Sequence, residues 1–124
     1  MAEATLIVSG MSRRQPPRVE AFEGLEQGRA VVAGEGGGRP LVSCGTAGKG
    51  LEVAIVDPET RRRVPPGEAG EIWLSGPSVA QGYWRREQES EEVFHARFEG
   101  DSRAWLRTGD TGFLHAGELA VTGR

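Results

Sequence analysis

A carboxylate with glycines on both sides stands near the end of the sequence. In the stretch WLRTGDTGFL, Asp110 follows Gly109 and is separated from Gly112 by one threonine. Aspartate and glycine are ordinary turn formers, so the triplet TGD by itself indicates only a turn. Flanking glycines would equally let a backbone pass close to a bound ligand, because they carry no side chain. The residues alone leave both interpretations open.

Other residues that often do chemistry occur in patterns that do not support a site. The single cysteine, Cys44, cannot form an internal disulfide and lacks the spacing of a metal site, so we expect a small apolar strand residue. The histidines, His95 and His115, are far apart, and we expect both at the surface. The glycines in residues 34–38 are followed by no Lys-Ser or Lys-Thr pair, which excludes a phosphate-binding loop of that type.

The composition limits the possible partners and the size of the domain. The chain has 124 residues and a net charge of −3, which fits one domain but is small for an enzyme that surrounds two substrates. Basic residues are dispersed apart from Arg61–Arg63, expected at a hairpin tip, so we expect no nucleic-acid partner. No apolar run approaches the roughly 20 residues of a membrane span, and no signal peptide is evident. These features predict a cytoplasmic protein without a membrane span.

Short apolar runs with a two-residue period predict strands through most of the chain. The run 6–8 is expected to be a short buried strand. Further along, Leu51, Val53 and Ile55 share one face of a predicted strand. In the stretch EIWLSG, Trp73 points away from the isoleucine and leucine beside it, as expected in another strand.

One substantial helix is predicted within residues 87–98. Ser90 is expected to cap it, and Phe94 and Phe98 fall four residues apart on one face. A three-residue hairpin loop is predicted at 115–117. Strands outnumber helices and do not alternate with them. The sequence therefore predicts a mainly β fold, a small distorted antiparallel β-barrel or sandwich with one helix.

Several motifs, taken in order along the chain, carry a family resemblance. They are AEATLIVSG, LVSCG, IVDPET, GEIWLSGPSVAQGYW, WLRTGDTGFL and GELAVTGR. Together they resemble the adenylate-forming superfamily of acyl- and aryl-CoA synthetases, peptide-synthetase adenylation domains and luciferases. Within it they are most similar to fatty-acyl-AMP ligases, and the resemblance covers nearly the whole chain. It implies that residues 1–124 are a single fragment, the third subdomain of the large amino-terminal AMP-binding domain.

The resemblance implies a nucleotide-binding role for two residues. In the family the aspartate of the RTGD motif, here Asp110, holds the ribose of ATP. Its two oxygens can accept hydrogen bonds from both ribose hydroxyls. Arg124, in the terminal TGR, matches the arginine that joins the same ribose, and its planar guanidinium could reach a hydroxyl or a phosphate oxygen.

A metal-binding role is implied for Glu3. The family has a Tyr-Gly-x-x-Glu motif whose glutamate helps to hold Mg²⁺ against the ATP phosphates, and Mg²⁺ prefers carboxylate oxygens. The tyrosine and glycine of that motif are missing here, and Ala2 replaces a common phosphate-binding threonine. A frayed amino terminus is the alternative for Glu3. The middle motif is expected to be structural, with Glu71 and the pair 83–84 packing or hydrogen-bonding around the sheet.

The irregular segment at about 12–40 matches an insertion that distinguishes fatty-acyl-AMP ligases from CoA ligases. In the family this insertion is thought to restrain the mobile carboxy-terminal domain. The resemblance therefore implies an acyl carrier protein as acceptor, with free coenzyme A a poor one. An ordinary surface loop is the alternative interpretation.

The implied function is part of a fatty-acyl-AMP ligase in lipid or polyketide biosynthesis. Such an enzyme activates a fatty acid with ATP, releases pyrophosphate and transfers the acyl group to the carrier protein. The only lysine, Lys49, matches no catalytic position of the family. The fragment is therefore expected to be inactive alone. A non-catalytic interaction or regulatory module with this fold, and a fragment of an acyl-CoA synthetase, remain alternatives.

Overall fold

In the computed structural model, residues 1–5, 7–11 and 14–124 are described, and they form three antiparallel sheets and one α-helix. The strands are β1 (Ser9–Gly10), β2 (Val19–Glu23), β3 (Val31–Val32), β4 (Arg39–Val42), β5 (Thr46–Ala47), β6 (Glu52–Asp57), β7 (Arg62–Arg63), β8 (Gly70–Ser75), β9 (Leu106–His115) and β10 (Glu118–Gly123). The helix α1 is Glu87–Phe94, and 3₁₀ helices cover Ala2–Ala4 and Leu25–Gln27. The predicted mainly β, antiparallel architecture with one helix is confirmed.

The main sheet has five strands in the order β10-β9-β8-β6-β7. Its central strand β8 alternates as predicted, with Ile72 and Leu74 on one face and Trp73 on the other. Phe94 of α1 and Ala4 of the first 3₁₀ helix cover the first face. All five of these side chains are nearly inaccessible to solvent, so the helix and the amino-terminal turn are both packed onto one side of the sheet.

The three-stranded sheet β3-β2-β4 covers one end of the main sheet. Phe22 and Leu41 pack there against Phe113 and Ala120 of β9 and β10, and the rings of Phe22 and Phe113 lie 4.7 Å apart at their centroids. The remaining pair, β1 and β5, forms a two-stranded sheet of its own. The sandwich part of the prediction therefore holds where the small sheet lies over β9 and β10. The first two residues of the predicted insertion, Ser12 and Arg13, lie outside the described residues.

The helix differs in detail from its prediction. It begins at Glu87, so Ser90 lies inside it rather than at its cap, and the Ser90 hydroxyl donates to the Arg86 carbonyl at 2.6 Å. It ends at Phe94, because Ala96 pairs with Trp105 and draws the chain into extended structure. No helix among the described residues is long and apolar enough to cross a membrane.

Phe98 therefore does not share a helix face with Phe94. It packs with Trp73 and Trp105, in a different cluster from the one that contains Phe94. A spacing of four residues was a misleading signal here, because the helical period ended before the second phenylalanine.

Three further local expectations were wrong. The run 6–8 is not a buried strand: Ile7 is 64% exposed, and Val8 belongs to no strand, although its carbonyl accepts a hydrogen bond from the Gly48 amide. Leu6 lies outside the described residues. The hairpin between β9 and β10 has a two-residue loop, Ala116-Gly117, both with positive φ, as in a tight type I′ turn. Cys44 lies just after β4, and its amide donates to the Leu119 carbonyl at 2.8 Å.

Close packing at Gly112 offers a test of this fold. A Cβ atom there would lie 2.3 Å from the Ala120 carbonyl oxygen and 2.9 Å from a methyl carbon of Ile72. Because the carbonyl belongs to the paired strand, we expect Gly112→Ala to lower the free energy of unfolding by about 1–3 kcal/mol. Gly34→Ala is the matched control, since a Cβ there meets nothing within 4 Å. Urea denaturation of both variants measures the difference, and equal midpoints would contradict the packing.

Candidate functional site

Strand β9 carries a large bulge at the RTGD motif. Arg107 pairs with Trp73 and Thr111 pairs with Glu71, so three residues of β9 lie opposite the single residue Ile72. Gly109, in the middle of the bulge, has φ +71°, a conformation that favours glycine. Asp110 therefore lies within a strand rather than in a turn between strands, and the simple turn interpretation is wrong.

The amides of the bulge are satisfied by side chains instead of by the neighbouring strand. The Gly109 amide donates to Oε1 of Glu71 at 3.2 Å, and the Asp110 amide donates to Oγ1 of Thr108 at 3.1 Å. The Thr108 hydroxyl in turn donates to the Ile72 carbonyl at 2.7 Å. Glu71 was expected to hydrogen-bond around the sheet, and this is confirmed. Its partners here are the residues that shape the bulge.

Glu71 is also the acceptor of a salt bridge. Its side chain is 8% exposed, and Oε2 lies 3.2 Å from Nε and 3.0 Å from Nη2 of Arg107. A buried carboxylate is costly unless it is paired and hydrogen-bonded. Arg107 supplies the opposite charge, and the Gly109 amide supplies a further donor to the same carboxylate.

The carboxylate of Asp110 faces two cationic groups. Oδ1 lies 3.8 Å from Nε of Arg124, and Oδ2 lies 3.5 Å from the amino group of Met1. The Asp110 side chain is 18% exposed, whereas that of Arg124 is 80% exposed. Asp110 is thus held at the edge of the sheet with both oxygens directed at positive charge, and Arg124 has the freedom to move toward a ligand.

Glu3 lies on the same side of the molecule. Its Oε2 is 3.4 Å from the Met1 amino group, which places that group between Glu3 and Asp110. The Tyr83 hydroxyl donates to its Oε1 at 2.9 Å, and the Ala80 amide donates to its backbone carbonyl at 2.8 Å. The amino-terminal turn is therefore ordered in this structure. Trp84, expected to pack around the sheet beside Tyr83, is 85% exposed instead.

The pKa of Glu3 is lowered below its ordinary value. The main cause is a hydrogen bond from its own backbone amide; partial burial opposes it, while the Tyr83 hydroxyl and the Met1 amino group add to the lowering. Glu3 is consequently a carboxylate at neutral pH. Since the folded-state pKa is depressed, its contribution to stability is present above the unfolded-state pKa and is lost as the pH falls through the folded-state value.

One cleft joins the residues that the sequence analysis singled out. Its lining comprises Glu3, Glu71, Tyr83, Glu92, Val93, Arg107, Thr108, Gly109 and Arg124. Asp110 lies at its edge through the contact with Arg124. The cleft thus combines partly buried carboxylates with the exposed guanidinium of Arg124. Such an arrangement can hold a ligand that carries hydroxyl donors and anionic oxygens together.

The residues at this cleft suit a metal ion that is bound partly by a ligand better than one that is bound by protein side chains alone. No group of three or more His, Cys, Asp or Glu side chains capable of holding a metal ion exists among residues 1–5, 7–11 and 14–124. One oxygen of Glu3, Oε2, accepts no hydrogen bond from Tyr83 and lies 3.4 Å from the Met1 amino group. A single carboxylate of this kind suits Mg²⁺, which is commonly bound by one or two carboxylates together with phosphates and water.

No role for Arg107 or Thr108 was expected from the sequence. Each acts through a partner 36 positions earlier, Glu71 and Ile72 respectively. The available signal was an arginine and a glutamate of opposite charge on neighbouring predicted strands. Their pairing could not be identified without the register of β8 and β9, which the bulge shifts.

The hydrogen bond between Tyr83 and Glu3 can be tested by titration, because Tyr83 is the single tyrosine of the chain. The pKa of Tyr83 is raised above 10.0 because its hydroxyl donates to Glu3, because it is partly buried and because Glu3 is negative. This hydrogen bond therefore stabilises the fold below the unfolded-state pKa and is lost as the pH rises through the folded-state value. We expect Glu3→Ala to lower the pKa of Tyr83 toward 10.0.

Ultraviolet absorbance of tyrosinate measures this change directly. Glu92→Ala is the control, since it removes another carboxylate of the cleft that makes no hydrogen bond to Tyr83. A pKa that Glu3→Ala leaves in place, or that both variants lower equally, would show that the hydrogen bond does not set it.

Comparison with known proteins identifies close relatives. An acyl-carrier-protein ligase for medium-chain fatty acids from Moorena producens, JamA, is 46% identical over 131 residues, covering all of this chain and 22% of the relative. A 4-hydroxyphenylalkanoate adenylyltransferase from Mycobacterium marinum is 44% identical, with all of this chain and 21% of the relative covered. The chain therefore spans about a fifth of the length of these relatives.

Solved structures of ligases are similar to this chain as well. The crystal structure of a fatty acyl-adenylate ligase from Legionella pneumophila, in complex with acyl adenylate and pyrophosphate, superimposes with a TM-score of 0.90 and 40% identity. The match covers 99% of this chain and 22% of that one. The resemblance to fatty-acyl-AMP ligases is thus confirmed. A family model described as AMP-binding enzyme matches residues 2–84, two thirds of the sequence. The chain belongs to the AMP-binding enzyme family.

Proposed function

We propose that the chain supplies the nucleotide-binding edge of a fatty-acyl-AMP ligase, as the third subdomain of the large domain of a longer enzyme. The observation that carries the proposal is the convergence of Asp110, Arg124 and Glu3, distant in sequence, at one cleft of a fold that matches this family. The matched relatives are about five times as long as the chain, which supports assigning the complete reaction to a larger protein.

Ribose recognition rests on the geometry of Asp110. Oδ1 of Asp110 lies 3.8 Å from Nε of Arg124, and the Asp110 backbone is held by Thr108. A ribose offers two adjacent hydroxyls, each of which can donate to one oxygen of the carboxylate. Arg124, which is largely exposed, can then turn toward a hydroxyl or a phosphate oxygen.

Glu3 would hold Mg²⁺ through Oε2, the oxygen that is not bonded to Tyr83, and the ion when bound would neutralise charge on the ATP phosphates. Tyr83 occupies the other oxygen of Glu3 and so orients the carboxylate. In the proposed reaction an oxygen of the fatty-acid carboxylate attacks the α-phosphorus of ATP. The bond to pyrophosphate breaks, and the acyl-adenylate forms.

We further propose an acyl carrier protein as the acceptor, with the reaction in the cytoplasm. The name of JamA supports this choice, because it describes a ligase that acts on an acyl carrier protein. The inserted segment supports it as well. Phe22 of the segment and Leu41, just after it, are packed on Phe113 and Ala120, and the Ala30 amide donates to the Gly67 carbonyl at 2.7 Å. The segment is therefore fixed on the main sheet rather than loose, as a restraint on a neighbouring domain requires.

Asp110→Asn tests the ribose assignment in the full-length ligase. The substitution keeps the shape but leaves one acceptor oxygen, so one ribose hydroxyl loses its partner. A hydrogen bond to a charged group is worth about 1.5–3 kcal/mol, so adenylate formation from ATP should fall roughly ten- to a hundredfold. The variant should also discriminate less between ATP and 2′-deoxy-ATP, as measured by adenylate formation with each nucleotide.

Folding should change little in this variant, because the Asp110 backbone is held through the hydroxyl of Thr108 and not through its own carboxylate. Urea denaturation checks that point. If the parent and Asp110→Asn discriminate equally between the two nucleotides, Asp110 does not hold the 2′-hydroxyl. A parent that forms no adenylate at all would favour the interaction module instead.

The role of the insertion can be tested by shortening it while its buried residue Phe22 is kept. Replacing residues 23–38 by Asn-Gly would join the paired residues Phe22 of β2 and Arg39 of β4 through a two-residue loop and retain Leu41. If the segment restrains domain rotation, transfer of the acyl group to coenzyme A should rise while adenylate formation is retained. Acyl-CoA formation measures the change. A folded variant with unchanged acceptor preference would contradict the proposal and favour an ordinary surface loop.

A further inference from the structure

We propose that Glu71 is a positioning residue for Asp110, acting through the bulge of β9 together with Arg107. The inference rests on the proposed ribose-binding role of Asp110. Glu71, a nearly buried carboxylate in the GEIW stretch, would thus contribute to nucleotide recognition indirectly, because both of its oxygens accept hydrogen bonds from the protein.

The bulge leaves Asp110 without the usual support of a strand residue. Between the pairs Trp73 to Arg107 and Glu71 to Thr111, the ladder is interrupted and three residues of β9 share one partner. Gly109 has φ +71°, and a Cβ there would meet nothing within 4 Å, so the space beside this residue is open. Hydrogen bonds to the amides of the bulge are the contacts that support this conformation.

Two side chains supply those bonds, one on each side of Gly109. Oε1 of Glu71 accepts the Gly109 amide, and Oγ1 of Thr108 accepts the Asp110 amide. Thr108 is itself held by the Ile72 carbonyl. If Glu71 were removed, the backbone could rotate at Gly109, and the Asp110 carboxylate would lose its fixed direction.

A carboxylate is required at position 71 because both of its oxygens are in use. Oε1 accepts from Gly109, and Oε2 accepts from two nitrogens of Arg107. A glutamine would present an NH₂ group to one of these donors and lose that partner. With both oxygens occupied by protein donors and the side chain 8% exposed, Glu71 has no free oxygen for a ligand. Its effect on nucleotide binding must be exerted through Asp110.

The test is a double-mutant cycle on nucleotide discrimination in the full-length ligase. We expect Glu71→Gln to reduce the preference for ATP over 2′-deoxy-ATP by roughly three- to tenfold. In an Asp110→Asn background the same substitution should have no further effect on that preference, because the residue through which Glu71 acts is already changed. The KM for ATP should rise in Glu71→Gln, whereas the KM for the fatty acid should remain unchanged.

Glu52→Gln is the matched control, because Glu52 also pairs with an arginine, Arg103, on the same sheet but away from the cleft. It should leave nucleotide discrimination unchanged. If Glu71→Gln does not fold, Thr108→Val removes the second support of Asp110, and Thr108→Ser should restore the discrimination that Thr108→Val loses. Urea denaturation identifies variants that fold.

The two proposals fail in different ways. Loss of discrimination in Asp110→Asn but full discrimination in folded Glu71→Gln would overturn the positioning role alone. Additive effects of the two substitutions on the preference would overturn it as well, since Glu71 would then act independently of Asp110. Equal discrimination by the parent and Asp110→Asn would instead contradict the ribose assignment on which the inference rests.

Discussion

The mismatch between β8 and β9 is the constraint on which the candidate site depends. Three residues of β9 stand opposite one residue of β8, so the amides of Gly109 and Asp110 find acceptors in the side chains of Glu71 and Thr108. Burying Glu71 for this purpose requires a compensating charge, which Arg107 provides. Two stretches of sequence, 36 positions apart, thus form a polar network that shapes the backbone beside the Asp110 carboxylate.

Packing of the main sheet brings the remaining site residues to the same edge. Ala4 is 1% exposed in the cluster on one face, and its burial holds the turn that carries Glu3. Tyr83, between β8 and α1, packs its ring against Phe94 with centroids 4.9 Å apart while its hydroxyl reaches Glu3. The apolar core and the polar cleft are therefore connected through Tyr83, whose ring belongs to the first and whose hydroxyl belongs to the second.

The small sheet β3-β2-β4 contacts the main sheet through apolar side chains at its centre and charged side chains at its rim. Phe22 lies over Phe113, while Glu118 accepts from Ser43 at 2.8 Å and Glu20 lies 3.1 Å from His115. Because rim pairs contribute little to stability, the apolar contact is the main attachment of this sheet.

The sequence by itself determined the fold class, the alternation around Trp73 and the identity of Asp110, Arg124 and Glu3 as candidates. These features depend on local period or on motif order, which the chain displays directly. The tertiary structure alone decided where the helix ends, since the pairing of Ala96 with Trp105 stops it. It also decided that Arg107 and Thr108 support the site, because a register shift of the bulge sets which residues of two strands meet, and no local pattern encodes that shift.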